Sequence, residues 1–159
     1  MELTEHDRER LLQWARAAVE SEVRGETPPA PGGLEGALAE RRGCFVTLTN
    51  AGRLRGCIGT FQPTQPLGRQ LVEMGAAAAR DPRFPMDPIT PAELGDIHVE
   101  VSVLSPLAKT DRPEELTPGV HGVYIVRGPR AGCFLPEVAT DMGWGAQEFL
   151  DQCCTGKAG

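Results

Sequence analysis

Near the amino terminus apolar residues recur three and four apart. Leu11, Trp14, Ala15, Ala18 and Val19 fall on one stripe that runs to about Val23, the spacing of a helix with one buried face. Thr4 precedes the stripe as an N-cap, with Asp7 three residues later as a capping-box partner. Gly25 to Gly33 (GETPPAPGG) cannot continue a helix and reads as a linker. A short helix from Leu34 to about Arg41 is expected after it.

The pattern then turns to β-formers. Cys44 to Thr49 (CFVTLT), the turn residues Asn50-Ala51-Gly52, and Leu54 to Phe61 (LRGCIGTF) together predict a hairpin. Leu67, Leu71, Met74 and Ala78 restore helical spacing over Pro66 to Arg80. Asp81-Pro82 ends that helix, because a residue before proline avoids the α region. A proline-studded loop runs from Asp81 to Pro91, and Thr90, Pro91 and Glu93 suit the N-cap, N1 and N3 positions of one short helical turn. From Ile97 to Leu104 (IHVEVSVL) the alternation is strict: Ile97, Val99, Val101 and Val103 share the core face, and Glu100 and Ser102 do not. Val120 to Arg127 and Gly132 to Leu135 predict a second hairpin around Gly128-Pro129. A loop over Thr140 to Gly145 and a last helix over Ala146 to Cys154 complete the chain. Unequal helices and loops between the strands favour an antiparallel α+β layout over regular βαβ winding.

Composition narrows the function classes. The chain has 159 residues, 40% of them hydrophobic, with a net charge of −6. An acidic surface disfavours broad phosphate contact, so nucleic acid is not an expected partner. No stretch approaches the ~20 apolar residues that span a bilayer, and Met1 to Arg10 lacks the apolar core of a secretion signal. A cytoplasmic protein is expected, without membrane association. Cys44, Cys57, Cys133, Cys153 and Cys154 form no CxxC pair, and His6, His98 and His121 lie far apart in the chain. No metal and no cofactor is expected. P-loop, dinucleotide-fold, nucleophile-elbow and RNA-binding aromatic motifs are all missing.

Leu54 to Gly59 (LRGCIG) is the block that carries a resemblance. Asp81-Pro82-Arg83-Phe84 (DPRF), Glu100 to Leu104 (EVSVL), and Leu135 to Leu150 with Gly143-Trp144 and Phe149-Leu150 follow it in order. On these four blocks, from about Leu11 to Gly159, the chain resembles an AMMECR-family domain, the protein A component of the AmmeMemoRadiSam system. The resemblance implies one domain over residues 1–159, made of two interleaved lobes, with a largely antiparallel sheet flanked by helices and a cleft around LRGCIG. It also implies Memo-type and radical-SAM proteins as partners. The family pattern continues past Lys157-Ala158-Gly159, so the carboxy-terminal end reads as truncated, with a sheet edge left open.

Simple alternation along LRGCIGT places Arg55, Cys57 and Gly59 on one face, with Gly56 and Thr60 on the other. Arg55 would then stand roughly 7 Å from Cys57 and could favour its thiolate. The competing reading is a small buried cysteine beside a structural ion pair, and it is preferred because no histidine stands at a definable spacing. Arg83 could grip a carboxylate or phosphate, or Asp81 and Arg83 could pin the loop to backbone groups. Glu100, with His98 and Ser102, could form an acid/base patch or a plain polar sheet face. Trp144 suits a core plug better than a cleft wall. The expected site is therefore Cys57 and Glu100 as candidate catalytic groups, with Arg55, Gly56, Gly59, Thr60, Asp81, Arg83 and Trp144 as binding residues. The function expected first is an accessory domain binding a small anionic ligand, a peptide or a partner. A Cys57-dependent enzyme is second, and RNA modification third.

Overall fold

Thr4 caps α1 (Glu5–Arg24) as its spacing requires: its hydroxyl accepts from the Asp7 N–H, and the Asp7 carboxylate accepts from the Thr4 N–H, both at 3.0 Å. Gly25, left-handed at φ 70°, closes the helix. The computed structural model describes residues 2–105, 109–127 and 129–156. Contacts divide the chain into two units, Met1–Leu107 and Ala108–Gly159, each continuous in sequence.

In the first unit β1 (Cys44–Asn50) and β2 (Arg53–Thr60) form the expected hairpin. Its two-residue loop carries positive φ at both Ala51 (49°) and Gly52 (82°), the geometry of a tight turn that follows strand twist. After α2 (Leu67–Ala79), the strand β3 (Ile97–Val103) pairs on the far side of β1, giving an antiparallel sheet in the order β2-β1-β3. Val46 lies between Ile58 and Val101, and Leu48 between Gly56 and Val99. These residues join Leu11, Val19, Leu67 and Leu71 in one core, which places α1 and α2 on the same side of the sheet. Each fully buried leucine there contributes roughly 1.5–3 kcal/mol of apolar burial. The helices approach closely through small residues; a Cβ on Gly75 would lie 3.2 Å from the Ala18 Cβ.

The alternation read from Ile97 to Leu104 agrees with this packing: Val99, Val101 and Val103 lie against the core, and Glu100 is exposed. The helix expected over Leu34 to Arg41 shrinks to one 3-10 turn, Gly36–Ala39, which opens on Gly36 at φ 56°. Thr90, Pro91 and Glu93 do begin a 3-10 turn, Pro91–Asp96, although the Thr90 side chain makes no cap bond.

The second unit holds β4 (Val123–Arg127), β5 (Arg130–Phe134), α3 (Pro136–Met142) and α4 (Ala146–Gly156), with β4 and β5 antiparallel. Gly128, half of the expected turn, lies outside the described residues. Thr140 to Gly145 is not wholly a loop, since α3 occupies its first half. Pro136 at the first helical turn and left-handed Gly143 just past the end mark this helix in the sequence. Phe149 is buried and stacks on Phe134 at 5.6 Å, and Trp144 tilts against Phe134 at 5.9 Å.

Candidate functional site

The pairing of β1 with β2 slips between Leu48 and Thr49. Leu48 faces Gly56 but Thr49 faces Leu54, so Arg55 is the extra residue of a β-bulge. The bulge corrects the simple alternation: Arg55 does not share a face with Cys57. It leaves the sheet's outer face and is 3% exposed.

Burying a guanidinium is costly unless carboxylates meet it, and two do. Arg55 Nε and Nη2 donate to Glu93 Oε2 and Oε1 at 2.7 and 2.9 Å, a bidentate fork. Nη1 donates to Asp87 Oδ2 at 3.1 Å. Asn50 Nδ2 donates to the same Glu93 oxygen at 3.1 Å, and Arg53 Nη1 reaches Asp87 Oδ2 at 3.4 Å. The hydrogen bonds from Arg55 hold the Glu93 carboxyl down at about 2, against burial, and those to Glu93 raise Arg55 in return. Asp87, Glu93, Asn50 and Arg53 were absent from the expected site. The usable signal was charge balance: an arginine set between Leu54 and Gly56 needs an acid, and the next acids after Asp81 are Asp87 and Glu93.

A second device sits at the other end of the same loop. β2 is a sheet edge, and the Cys57 N–H donates to Asp81 Oδ2 at 2.9 Å while the Cys57 carbonyl accepts from Arg83 Nη2 at 3.3 Å. One carboxylate and one guanidinium thus do for Cys57 what a neighbouring strand would do, which closes the edge at that point. Asp81 also accepts from the Arg83 backbone N–H at 3.0 Å and from Arg83 Nη2 at 2.7 Å. Its carboxyl is held at about 2, first by the hydrogen bond from Arg83 and then by those from backbone. Of the two roles open to this pair, pinning to backbone is the one the geometry fulfils. Gly56 is required here, because a Cβ would fall 2.1 Å from the Ala78 carbonyl at the end of α2.

Between these devices lies a pocket of about 260 Å³. Its apolar wall is Val23, Ala79, Phe84, Pro85, Pro88 and Ile89, and Arg55, Asp81, Asp87 and Arg80 add polar groups. Met86, 93% exposed, stands in the same loop.

The outer face of the sheet is different. Cys57, Thr47 and Glu100 are register partners across the three strands. The Cys57 sulfur lies 3.3 Å from the Thr47 hydroxyl, Cys57 is half-buried, and Glu100 is exposed. Neighbouring strands stand about 4.8 Å apart, so Cys57 and Glu100, separated by Thr47, are about 10 Å apart. Gly59 lies under the Phe45 ring, where a Cβ would be 2.3 Å from Cγ. Thr60 pairs with Cys44, and its hydroxyl accepts from the Gln62 N–H at 3.0 Å. The structure therefore brings Arg55, Gly56, Asp81 and Arg83 together, sets Cys57, Gly59 and Glu100 on the outer face, and holds Trp144 in the second unit's aromatic cluster. Among the described residues no group of three or more His, Cys, Asp or Glu could hold a metal, and no helix is long and apolar enough to cross a membrane.

Comparison with known proteins adds a context. The AMMECR1 family model matches residues 12–159. A protein of Methanothermobacter thermautotrophicus is 45% identical over 157 residues, covering 94% of this chain and 80% of that protein. One of Methanopyrus kandleri is 41% identical, covering 99% and 79%. The crystal structure of an uncharacterized protein from Pyrococcus horikoshii superposes with a TM-score of 0.87 at 34% identity, covering 99% of this chain and 82% of that one.

Proposed function

The chain belongs to the AMMECR1 family, and on that premise we propose that it serves as an accessory domain that binds a ligand or partner, rather than as a Cys57-dependent enzyme. One observation carries this reading: the charged groups of the LRGCIG corner are held by one another. Arg55 is gripped by Glu93 and Asp87, and Asp81 by Arg83. A general acid or base must be able to gain and lose a proton near neutral pH, and carboxyls held at about 2 cannot. On the outer face, Thr47 separates Cys57 from Glu100, and among the described residues the thiol's hydrogen-bond partner is the Thr47 hydroxyl and not a histidine.

The partners proposed are Memo-type and radical-SAM proteins, in a cytoplasmic setting. The test is co-purification of the intact chain with each of those proteins, followed by titration calorimetry, for the wild type and Cys57→Ser. Capture that survives Cys57→Ser supports a binding domain. A folded Cys57→Ser variant that still binds its partner but abolishes the partner's reaction would instead make Cys57 chemical. RNA modification is disfavoured by the net charge of −6.

A further inference from the structure

The geometry assigns the 260 Å³ pocket between α2 and the 81–91 loop to an uncharged residue of an extended partner peptide, its side chain against the apolar wall and its backbone carbonyl on Arg55. This rests on the reading of the protein as a partner-binding domain and names the chemistry that the pocket accepts.

Charge decides the class. Four cations surround the pocket and each has an anionic partner: Arg55 with Glu93, Arg83 with Asp81, Arg80 with Glu22, and Arg53 with Asp87. The corner is formally neutral. A phosphate or carboxylate entering it would meet Asp81 and Asp87 without a spare cation, and an ammonium would displace an arginine already in place. A neutral amide costs neither. Arg55 also has donors left to offer. A guanidinium carries five N–H groups, and three are used, by Glu93 twice and Asp87 once. One N–H on Nη1 and one on Nη2 remain without a partner among the described residues, on a side chain that lines the pocket. A buried donor left unsatisfied is costly, and a carbonyl oxygen is an acceptor that would relieve that cost.

Size and surroundings agree. At about 260 Å³ the pocket is smaller than the roughly 300–1,000 Å³ typical of sites that enclose a whole ligand, and it suits one large aliphatic side chain. Phe84, Pro85, Pro88 and Ile89 supply rigid apolar contact, and Met86 and Leu54 are exposed on the flanking segments of loop and strand. Aliphatic surface beside a pocket with a few polar groups is the usual form of a peptide-anchoring site.

The probe is N-acetyl-leucinamide, with acetate, inorganic phosphate and butylamine as charged controls, followed by backbone amide NMR of the full chain. The amide is expected to bind in the millimolar range, at about 1–10 mM, shifting the signals of Ala79, Phe84, Asp87 and Ile89. The charged probes leave those signals in place. Val23→Phe fills the pocket from α1 and should weaken the amide at least about tenfold, while β3 amides confirm an intact fold. Asp87→Asn removes one negative charge at an exposed position and should let acetate shift the same signals. Preference of the wild type for acetate or phosphate overturns the proposal, as does silence toward the amide, or binding that ignores Val23→Phe. Self-association that Val23→Phe abolishes would make the occupant a second copy and overturn it too. Capture of a Memo-type or radical-SAM partner that is indifferent to Val23→Phe sinks the pocket assignment and spares the accessory reading. Binding of the amide without any partner capture does the reverse.

Discussion

On the side of β2 that faces α2, charged and polar groups from three segments close on one another: Arg55 from the bulge, Asn50 and Arg53 from the hairpin ends, Asp87 and Glu93 from the loop and turn beyond. On the outer face of the same strand, Cys57, Thr47 and Glu100 stand in a row with a single sulfur–oxygen contact among them. Both regions are polar, but only in the first does each charged side chain meet an opposite charge. Buried charge demands partners and fixes the backbone around them; a half-exposed polar face leaves water to do that work. The comparison teaches that buried charge in the signature is tied to partners from distant segments, whereas its outer face is held by a single side-chain contact.

The largest effect should come from the spacing between strand and helix that makes the corner possible. Gly56→Ala places a methyl group 2.1 Å from the Ala78 carbonyl. Backbone stands on both sides, so the strain cannot be relieved by a rotamer, and the loss should reach about 4 kcal/mol or more. Urea denaturation would measure it, and a variant within 1 kcal/mol of wild type, roughly the effect of an ordinary substitution, would mean that α2 moves freely. Arg55→Met comes next, at about 3–5 kcal/mol, since it strands Glu93 without its cation. The double variant Arg55→Met/Glu93→Leu should recover much of that loss, because an apolar pair of similar volume needs no counter-charge. A double variant no better than the single would show that Arg55 contributes through something other than its pairing.

Much of this fold was legible before the structure. Helical spacing located α1 and α2, the Asp81-Pro82 stop fixed the end of α2, and strict alternation predicted which side of β3 is buried. The bulge was not legible. A register slip of one residue depends on what the neighbouring strand does, and it undid the reading that put Arg55 beside Cys57. Glu93 illustrates the same limit. Its place three residues after Thr90 reads as a capping acid, and it does sit in that turn, but the buried guanidinium 38 residues earlier claims its carboxylate. Local patterns report local competition; a long-range ion pair overrides them. α3 is the opposite case, for Pro136 and Gly143 announce it locally and the strand and loop readings on either side obscured it.

Acid should separate the two faces by degree. Glu93 and Asp81 are both held at about 2 in the folded chain, below their ordinary values of 4.5 and 3.8. The stabilisation they give is complete above the ordinary carboxyl range and is lost as pH falls through it toward 2, at roughly 2–3 kcal/mol apiece. Urea midpoints measured from pH 6 to pH 2 should therefore decline. Glu93→Gln should start lower and decline less, whereas Glu100→Gln, on the outer face, should track the wild type. An equal flattening in both variants would erase the distinction between the faces.

The smallest effect is the most telling for Cys57. None of the five thiols forms a disulfide; Cys44 and Cys153 are buried, Cys57 and Cys133 half-buried, and Cys154 exposed. Burial also pushes the Cys44 thiol up to about 12, so it should react only when the protein opens. If Cys57 belongs to architecture, alkylation near neutral pH should modify Cys154 first, Cys57 and Cys133 more slowly, and the buried Cys153 and Cys44 last, in the order of access. The cation beside Cys57 is Arg83, which donates to its carbonyl, and not Arg55. Arg83→Gln, on a side chain 57% exposed, should cost some stability by releasing Asp81 but leave the chain folded, and change the Cys57 rate only through access, toward faster modification as the edge of β2 loosens. Peptide-resolved mass spectrometry reads all five rates in one sample. A Cys57 that outpaces Cys154 in the wild type and slows in Arg83→Gln would reverse the assignment, because access would then predict one sign and charge would have produced the other.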